Sequence, residues 1–187
     1  GRAQFALHRA LFPIGHPYRW PTIGLTADLE RATLDRAQAF LARFYHPANA
    51  SLVVAGDVTT ADVLAAVEDL FGAIPAGPVA PPVRSPAVTA RESRTVLEDR
   101  VELPRLYLAW PSPPLFAAGD ADLDLAAEVL SAGRTARLYQ RLIHDRRIAT
   151  DVTAAQSSRQ LDSTFQVVAT AAPGTSLESL RVAVTEE

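Results

Sequence analysis

Four scattered histidines and no cysteine limit the chemistry open to this 187-residue chain. A catalytic or structural zinc site needs ligands brought onto one helical face, as in His-x-x-x-His, His-x-x-Glu-His or a Cys pair. None of these spacings occurs among His8, His16, His46 and His144. His16 lies in Gly15-His16-Pro17-Tyr18 and has the right side chain for a ligand or a general base, but a turn histidine satisfied by backbone groups is the simpler reading, and His16 is taken as structural. His46, just before Pro47 at the end of a helical pattern, reads as a cation near terminal carbonyls, and His144 beside Asp145 as a solvated pair. Serine chemistry has no better footing. Gly-x-Ser-x-Gly is absent, and Ser112, Ser131, Ser157 and Ser158 have no base at a recognisable spacing. Gly72 and Gly77 are separated by Pro75 and followed by Pro78 where a phosphate loop needs Lys and Ser or Thr. Asp120, Asp122 and Asp124 alternate as calcium ligands would, yet an acidic helix start explains them without the glycine and distant glutamate of a calcium loop. From the residues alone we assign no catalytic residue and no metal ligand, and substrate-binding residues stay unknown.

The elements around these residues divide the chain. Pro75, Pro78, Pro81, Pro82 and Pro86 fall in one stretch that cannot donate ladder hydrogen bonds, which predicts a semi-rigid linker. Before it, Leu34, Ala37, Leu41 and Phe44 recur at helical spacing behind a Thr33 N-cap, predicting a packed amphipathic helix. The apolar run at 51–56 predicts a buried strand, and Thr59 with Asp62 opens a helix through Val63, Val67, Leu70 and Phe71 that Gly72 closes. After the linker, 95–102 and 106–110 read as neighbouring strands broken by Pro104. A helix from Asp120 to about Gly133 follows, then a helix carrying Leu138, Leu142 and Ile143, strands at 148–155 and 164–170, and a last helix from Ser176. The order β-β-α-α-β-β-α argues for α+β rather than a doubly wound sheet.

Composition narrows the function classes. All 18 basic residues are Arg, against 21 acidic, for a net charge of −3 with no dense basic stripe, so nucleic acid is not an expected partner. No uncharged run reaches the roughly 18 residues that would cross a bilayer, so no membrane span is expected. The 48% hydrophobic content supports a real core.

Several fragments in fixed order go further. Phe12-Pro13-Ile14-Gly15-His16-Pro17-Tyr18, Ile23-Gly24, Asp28-Leu29, Phe44-Tyr45-His46-Pro47-Ala48-Asn49-Ala50 and Leu52-Val53-Val54-Ala55-Gly56-Asp57 together resemble the insulinase/pitrilysin family of zinc metallopeptidases. The likeness continues through Phe71-Gly72, Leu103-Pro104-Arg105 and Leu130-Ser131 to Leu142. Family members are built of repeated two-layer α/β domains, a mixed or antiparallel sheet with helices on one face, and two halves close like a clamshell around a peptide-holding chamber. The resemblance implies that 1–76 is the C-terminal portion of a zinc-type domain, 77–92 a linker, and 93–187 a second, non-catalytic α+β domain that is incomplete. It implies zinc in the parent protein, bound outside these residues by His-x-x-Glu-His and a later glutamate, and a metalloendopeptidase acting on peptides or unfolded polypeptides.

The family also uses an Arg and a Tyr, seven residues apart, to contact substrate near zinc. The matching positions here are Ile143 and Thr150, so the resemblance implies that a second half or partner subunit supplies that pair. Arg134, Arg137, Tyr139 and Arg141 are helix-surface or packing residues rather than substrate contacts on this reading. A non-catalytic chamber-forming subunit is the alternative. A periplasmic or secreted location is favoured over the cytoplasm.

Overall fold

The computed structural model describes residues 1–89 and 91–187. They form two compact units, one of residues 1–21 with 85–187 and one of residues 22–84. The second edge of this partition falls inside the proline-rich stretch. The first falls at Pro21, so residues 1–21 group by contact with the C-terminal part of the chain. The division into 1–76 and 93–187 concerns family architecture, which this grouping does not decide.

The larger unit is built on three antiparallel strands, β1 (Arg105–Ser112), β2 (Ala149–Ser157) and β3 (Ser163–Ala171), in the order β1-β3-β2. Alternation across β3 explains the layers. Val167 and Ala169 are buried against Leu138 and Leu142, and against Leu180, Ala183 and Val184 of helix α6 (Leu177–Thr185). Leu108 and Leu106 of β1 stand opposite those two β3 residues, as do Ala154 and Val152 of β2, so one sheet face supplies the core. The other face carries Arg105, Tyr107, Gln166, Thr170, Asp151 and Thr153 and is polar. The fold is α+β with an antiparallel sheet, as expected.

Helix α5 (Asp120–Ser131) packs on β2, and Ser131 Oγ accepts the N–H of Ala154 at 2.8 Å. Helix α6 starts where the Ser176 hydroxyl accepts the Ser179 N–H, the N-cap that Ser at this position favours. Between α5 and β2, the expected helix is wider than α. Residues Tyr139–Asp145 form a π-helical segment, with the Arg146 N–H on the Arg141 carbonyl at 3.1 Å. Leu142 on it and Leu138 at its start are both fully buried, while Arg137 and Arg141 reach Glu187. An N-terminal helix, α1 (Arg2–Leu11), which the sequence reading did not include, precedes a tight 3-10 turn at Pro17–Arg19.

The smaller unit holds α2 (Thr26–Glu30), α3 (Leu34–Phe44) and α4 (Thr60–Phe71). The expected caps are present: Thr33 accepts the Arg36 N–H, and Thr59 accepts the Asp62 N–H while donating to its carboxylate at 2.6 Å. Two expectations fail here. The run at 51–56 is not a buried strand, since it has no ladder partner and Val53 is 88% exposed. Helix α3 is not packed either: Leu34, Phe40 and Leu41 are exposed, so its apolar stripe has nothing to cover it among the described residues. In the larger unit 95–102 is likewise not a strand. All three cases share one cause. β-Propensity and amphipathicity state what a segment can pair with or bury, and the partner must come from elsewhere.

Leu180 is completely buried between α6 and the sheet, so truncation there removes core contacts that little can refill. Leu180→Ala is expected to lower unfolding stability by about 2–5 kcal/mol in urea titrations. A surface control, Glu178→Ala, should move the urea midpoint far less.

Candidate functional site

The resemblance directs attention to Ile143 and Thr150, and both lie on irregular backbone. Ile143 sits within the π-helical segment, half-buried against the core. Thr150 is the extra residue of a β-bulge, since Ala149 pairs with Ala171 and Asp151 with Thr170. Bulges and π-turns re-aim side chains and recur beside functional sites. Here the side chains cannot act as a substrate clamp. Ile143 has no polar atom, and the Thr150 hydroxyl turns to the Thr170 carbonyl at 3.4 Å.

The neighbouring arginines are also engaged. Arg137 bonds Glu187 at 3.1 Å, Arg141 reaches Glu187 at 3.5 Å and Glu186 at 3.8 Å, and Arg146 bonds Glu186 at 2.7 Å. These pairs tie the π-helical segment to the end of α6. Tyr139 is half-buried, and the exposed Arg134 offers its carbonyl to the Gln140 amide.

The densest polar cluster lies instead around His16. Its ring is fully buried and stacks on Phe12 at 4.6 Å, and both ring nitrogens are occupied. The Tyr18 N–H donates to Nδ1 at 3.0 Å, which leaves the proton on Nε2, and Nε2 donates to the Asp162 carboxylate at 2.9 Å. The backbone half of this arrangement was expected of a turn histidine. The carboxylate, 146 residues away in sequence, was not. His8 meets Phe12 edge-on at 5.8 Å. Burial, with Arg159 nearby, holds the His8 imidazole below its ordinary range, and its Nε2 contacts the Gln4 amide at 3.0 Å. A histidine bonded at both nitrogens has no lone pair for a metal and no free base for catalysis. Among the described residues no three His, Asp or Glu side chains gather as a metal-binding group. The residues present therefore do not fit a zinc site.

His46 and His144 behave as read. His46 Nε2 lies 2.9 Å from the Arg43 carbonyl, and His144 Nδ1 lies 2.9 Å from Asp145 in the open. The serines are occupied by structure rather than chemistry. Ser112 donates to Gln156, Gln156 donates to Asp120, and Ser158 donates to the same Asp120 oxygen at 2.6 Å. The second Asp120 oxygen accepts the N–H of Phe116, which helps hold that residue at a left-handed φ of 64°. Asp120 thus starts α5 as expected, and it also joins the ends of β1 and β2, which no local pattern shows.

The comparisons with known proteins agree with this picture. A family profile described as the peptidase M16 inactive domain matches residues 31–186. The chain belongs to that family. It is 26% identical over 174 residues to the zinc protease PqqE of Helicobacter pylori, covering 89% of this chain and 38% of that protein. An uncharacterised Saccharomyces cerevisiae protein is 30% identical over 135 residues, 65% of this chain and 13% of its own length. Two solved structures share the fold. A protease from Helicobacter pylori superposes with a TM-score of 0.78 at 24% identity, over 100% of this chain and 46% of that one. A peptidase M16 inactive domain from Pseudomonas fluorescens gives 0.80 at 22%, over 99% and 45%. The chain thus spans less than half the length of each of these relatives.

Hydrogen bonds from Ser158 first, then Gln156 and the Phe116 N–H, hold the Asp120 carboxyl below its ordinary value. A depressed folded pKa contributes stability above the unfolded value, about 4, and that contribution disappears as pH falls through the folded value. Asp120→Asn should therefore lower the urea midpoint at neutral pH. It should also flatten the acid limb below about pH 4 relative to the parent sequence. An acid limb unchanged by the substitution would show that Asp120 does not supply it.

Proposed function

We propose that these residues form part of a zinc-dependent metalloendopeptidase that hydrolyses peptides or unfolded polypeptides in a chamber between two halves. In this reading residues 1–76 end the zinc-type domain, 77–92 are the linker, and 93–187 are the following non-catalytic domain. The observation that carries the reading is the match of residues 31–186 to the peptidase M16 inactive domain, supported by the likeness to a zinc protease. The uncovered surface of the smaller unit supports it too. A β-branched run at 51–56 without a ladder partner, beside helices with exposed Leu34, Phe40, Leu64 and Phe71, has the composition of part of a larger core.

In the parent, zinc bound by residues outside this stretch would activate the attacking water. What this chain contributes is scaffold. Its sheet and helices give the second domain its shape, and the Arg137, Arg141 and Arg146 pairs fix the π-helical segment where the family places its substrate-contacting pair. With Ile143 and Thr150 at those positions, a second half or partner subunit has to bring the Arg and Tyr. No helix among the described residues is long and apolar enough to cross a membrane, and we favour a periplasmic or secreted parent.

The description of the matched family as an inactive domain favours one alternative, a chamber-forming subunit without hydrolysis. Metal analysis and peptidase assays separate the two. Residues 1–187 alone should retain no stoichiometric zinc after mild chelation and should cleave no peptide, whereas the longer parent should retain one zinc per zinc-type domain and lose cleavage on chelation. Tight zinc on 1–187, or a parent without a His-x-x-Glu-His sequence ahead of this stretch, would overturn the peptidase reading.

A further inference from the structure

Residues 12–19 make an unusually complete set of contacts with the loop between β2 and β3. Phe12 is 1% exposed and His16 is 0% exposed, and both lie in a segment without regular structure apart from one 3-10 turn. His16 Nε2 donates to Asp162 at 2.9 Å, the Tyr18 hydroxyl accepts the Leu161 N–H at 3.2 Å, and the Arg159 guanidinium lies over the Tyr18 ring at 5.1 Å. Three consecutive contacts thus land on one five-residue loop.

That loop is itself fixed. The Arg159 N–H donates to the Ser163 hydroxyl at 2.9 Å, and the Arg159 carbonyl accepts the Leu115 N–H at 2.9 Å, while Ser158 is held by Asp120. The inserted segment is fixed from its own side as well. Arg19 donates to the Arg9 and Phe12 carbonyls at 2.7 and 2.5 Å, folding the turn back on the end of α1. A rigid plug therefore meets a rigid receptor, and little ordering remains to be done when they join.

We propose that Phe12–Arg19 is an interdomain anchor, in which His16, fixed in one tautomer, positions the end of the first domain on the β2–β3 loop of the second. The inference rests on the domain division proposed above, in which residues 1–21 belong to the zinc-type domain. It accounts for the grouping of those residues with 85–187. It also explains the side chains chosen. Pro17 sets the φ of the turn, His16 presents an acceptor to the turn and a donor to the loop at once, and Tyr18 combines an apolar ring for Arg159 with a hydroxyl for Leu161. A neutral imidazole carries one acceptor and one donor nitrogen, which is what this pair of contacts uses. His16 is a positioning residue here, with no part in chemistry.

The test compares Asp162→Ala with Asp162→Asn. Asparagine keeps an oxygen that accepts the Nε2 proton and removes only the charge, whereas alanine removes the acceptor. In the 187-residue chain, nitrogen NMR should show His16 protonated at Nε2 alone. Hydrogen exchange of the Tyr18 and Leu161 amides should accelerate about tenfold in Asp162→Ala and little in Asp162→Asn, with Val167 unchanged in both. In the longer parent, Asp162→Ala should lower kcat with KM nearly unchanged, and Asp162→Asn should restore it. Equal exchange in wild type and Asp162→Ala, an Nδ1-protonated His16, or an Asp162→Asn variant as damaged as the alanine would overturn the anchor. A parent without peptidase activity in any form would instead overturn the proposed function, and the exchange experiment would still decide the anchor.

Discussion

The larger unit depends on β3. Neither β1 nor β2 pairs with the other, so each is in the sheet only through its ladder to the central strand. Two of the inward residues of β3, Ala169 and Ala171, are small and completely buried. Small side chains there let Leu138, Leu142 and Leu180 approach the sheet closely, and close approach is what excludes water from the core. The pairing is costly to begin. β1 pairs with residues 51 to 65 positions later in sequence, and loop closure has to be met before burial compensates it. The β2–β3 hairpin, by contrast, closes over a short local loop.

The β2–β3 loop is also heavily bonded. Ser163 closes it from within, Asp120 holds Ser158 from α5, and Asp162 and Leu161 receive His16 and Tyr18. Contacts from α5 and from residues 16–18 thus converge on a five-residue loop that Ser163 closes from within. A floppy loop would charge each partner the entropy of ordering it, and a preformed hairpin does not.

What the sequence made legible follows the same divide between local and distant. Helix starts at Thr33, Thr59, Asp120 and Ser176, the strands at β1, β2 and β3, and the turn-forming role of His16 are all written in residues within a few positions of one another. The failures needed partners. The run at 51–56 and the segment at 95–102 carry strand propensity without a ladder, and α3 carries an apolar stripe without a cover. The Asp162 contact of His16 and the joining of β1, β2 and α5 by Asp120 were invisible for the same reason, since a carboxylate announces its charge but not its address. The π-helical segment was missed because Leu138 and Leu142 fit an α-helical period equally well.

The irregular backbone at Ile143 and Thr150 separates two things that a motif search treats as one. A π-turn and a bulge set the direction of side chains, whereas side-chain identity sets their chemistry. In this chain the first is present and the second is not: one position is aliphatic and packed into the core, and the other spends its hydroxyl on the Thr170 carbonyl. The π-turn and the bulge stand here without a guanidinium or a phenol at these two positions. Arg137 and Arg141 pair with Glu187, Arg146 pairs with Glu186, and Leu138 and Leu142 are buried in the core, so ion pairs and packing hold the segment on two sides. Backbone direction in this segment is thus set by packing and ion pairs, whichever side chains stand at 143 and 150.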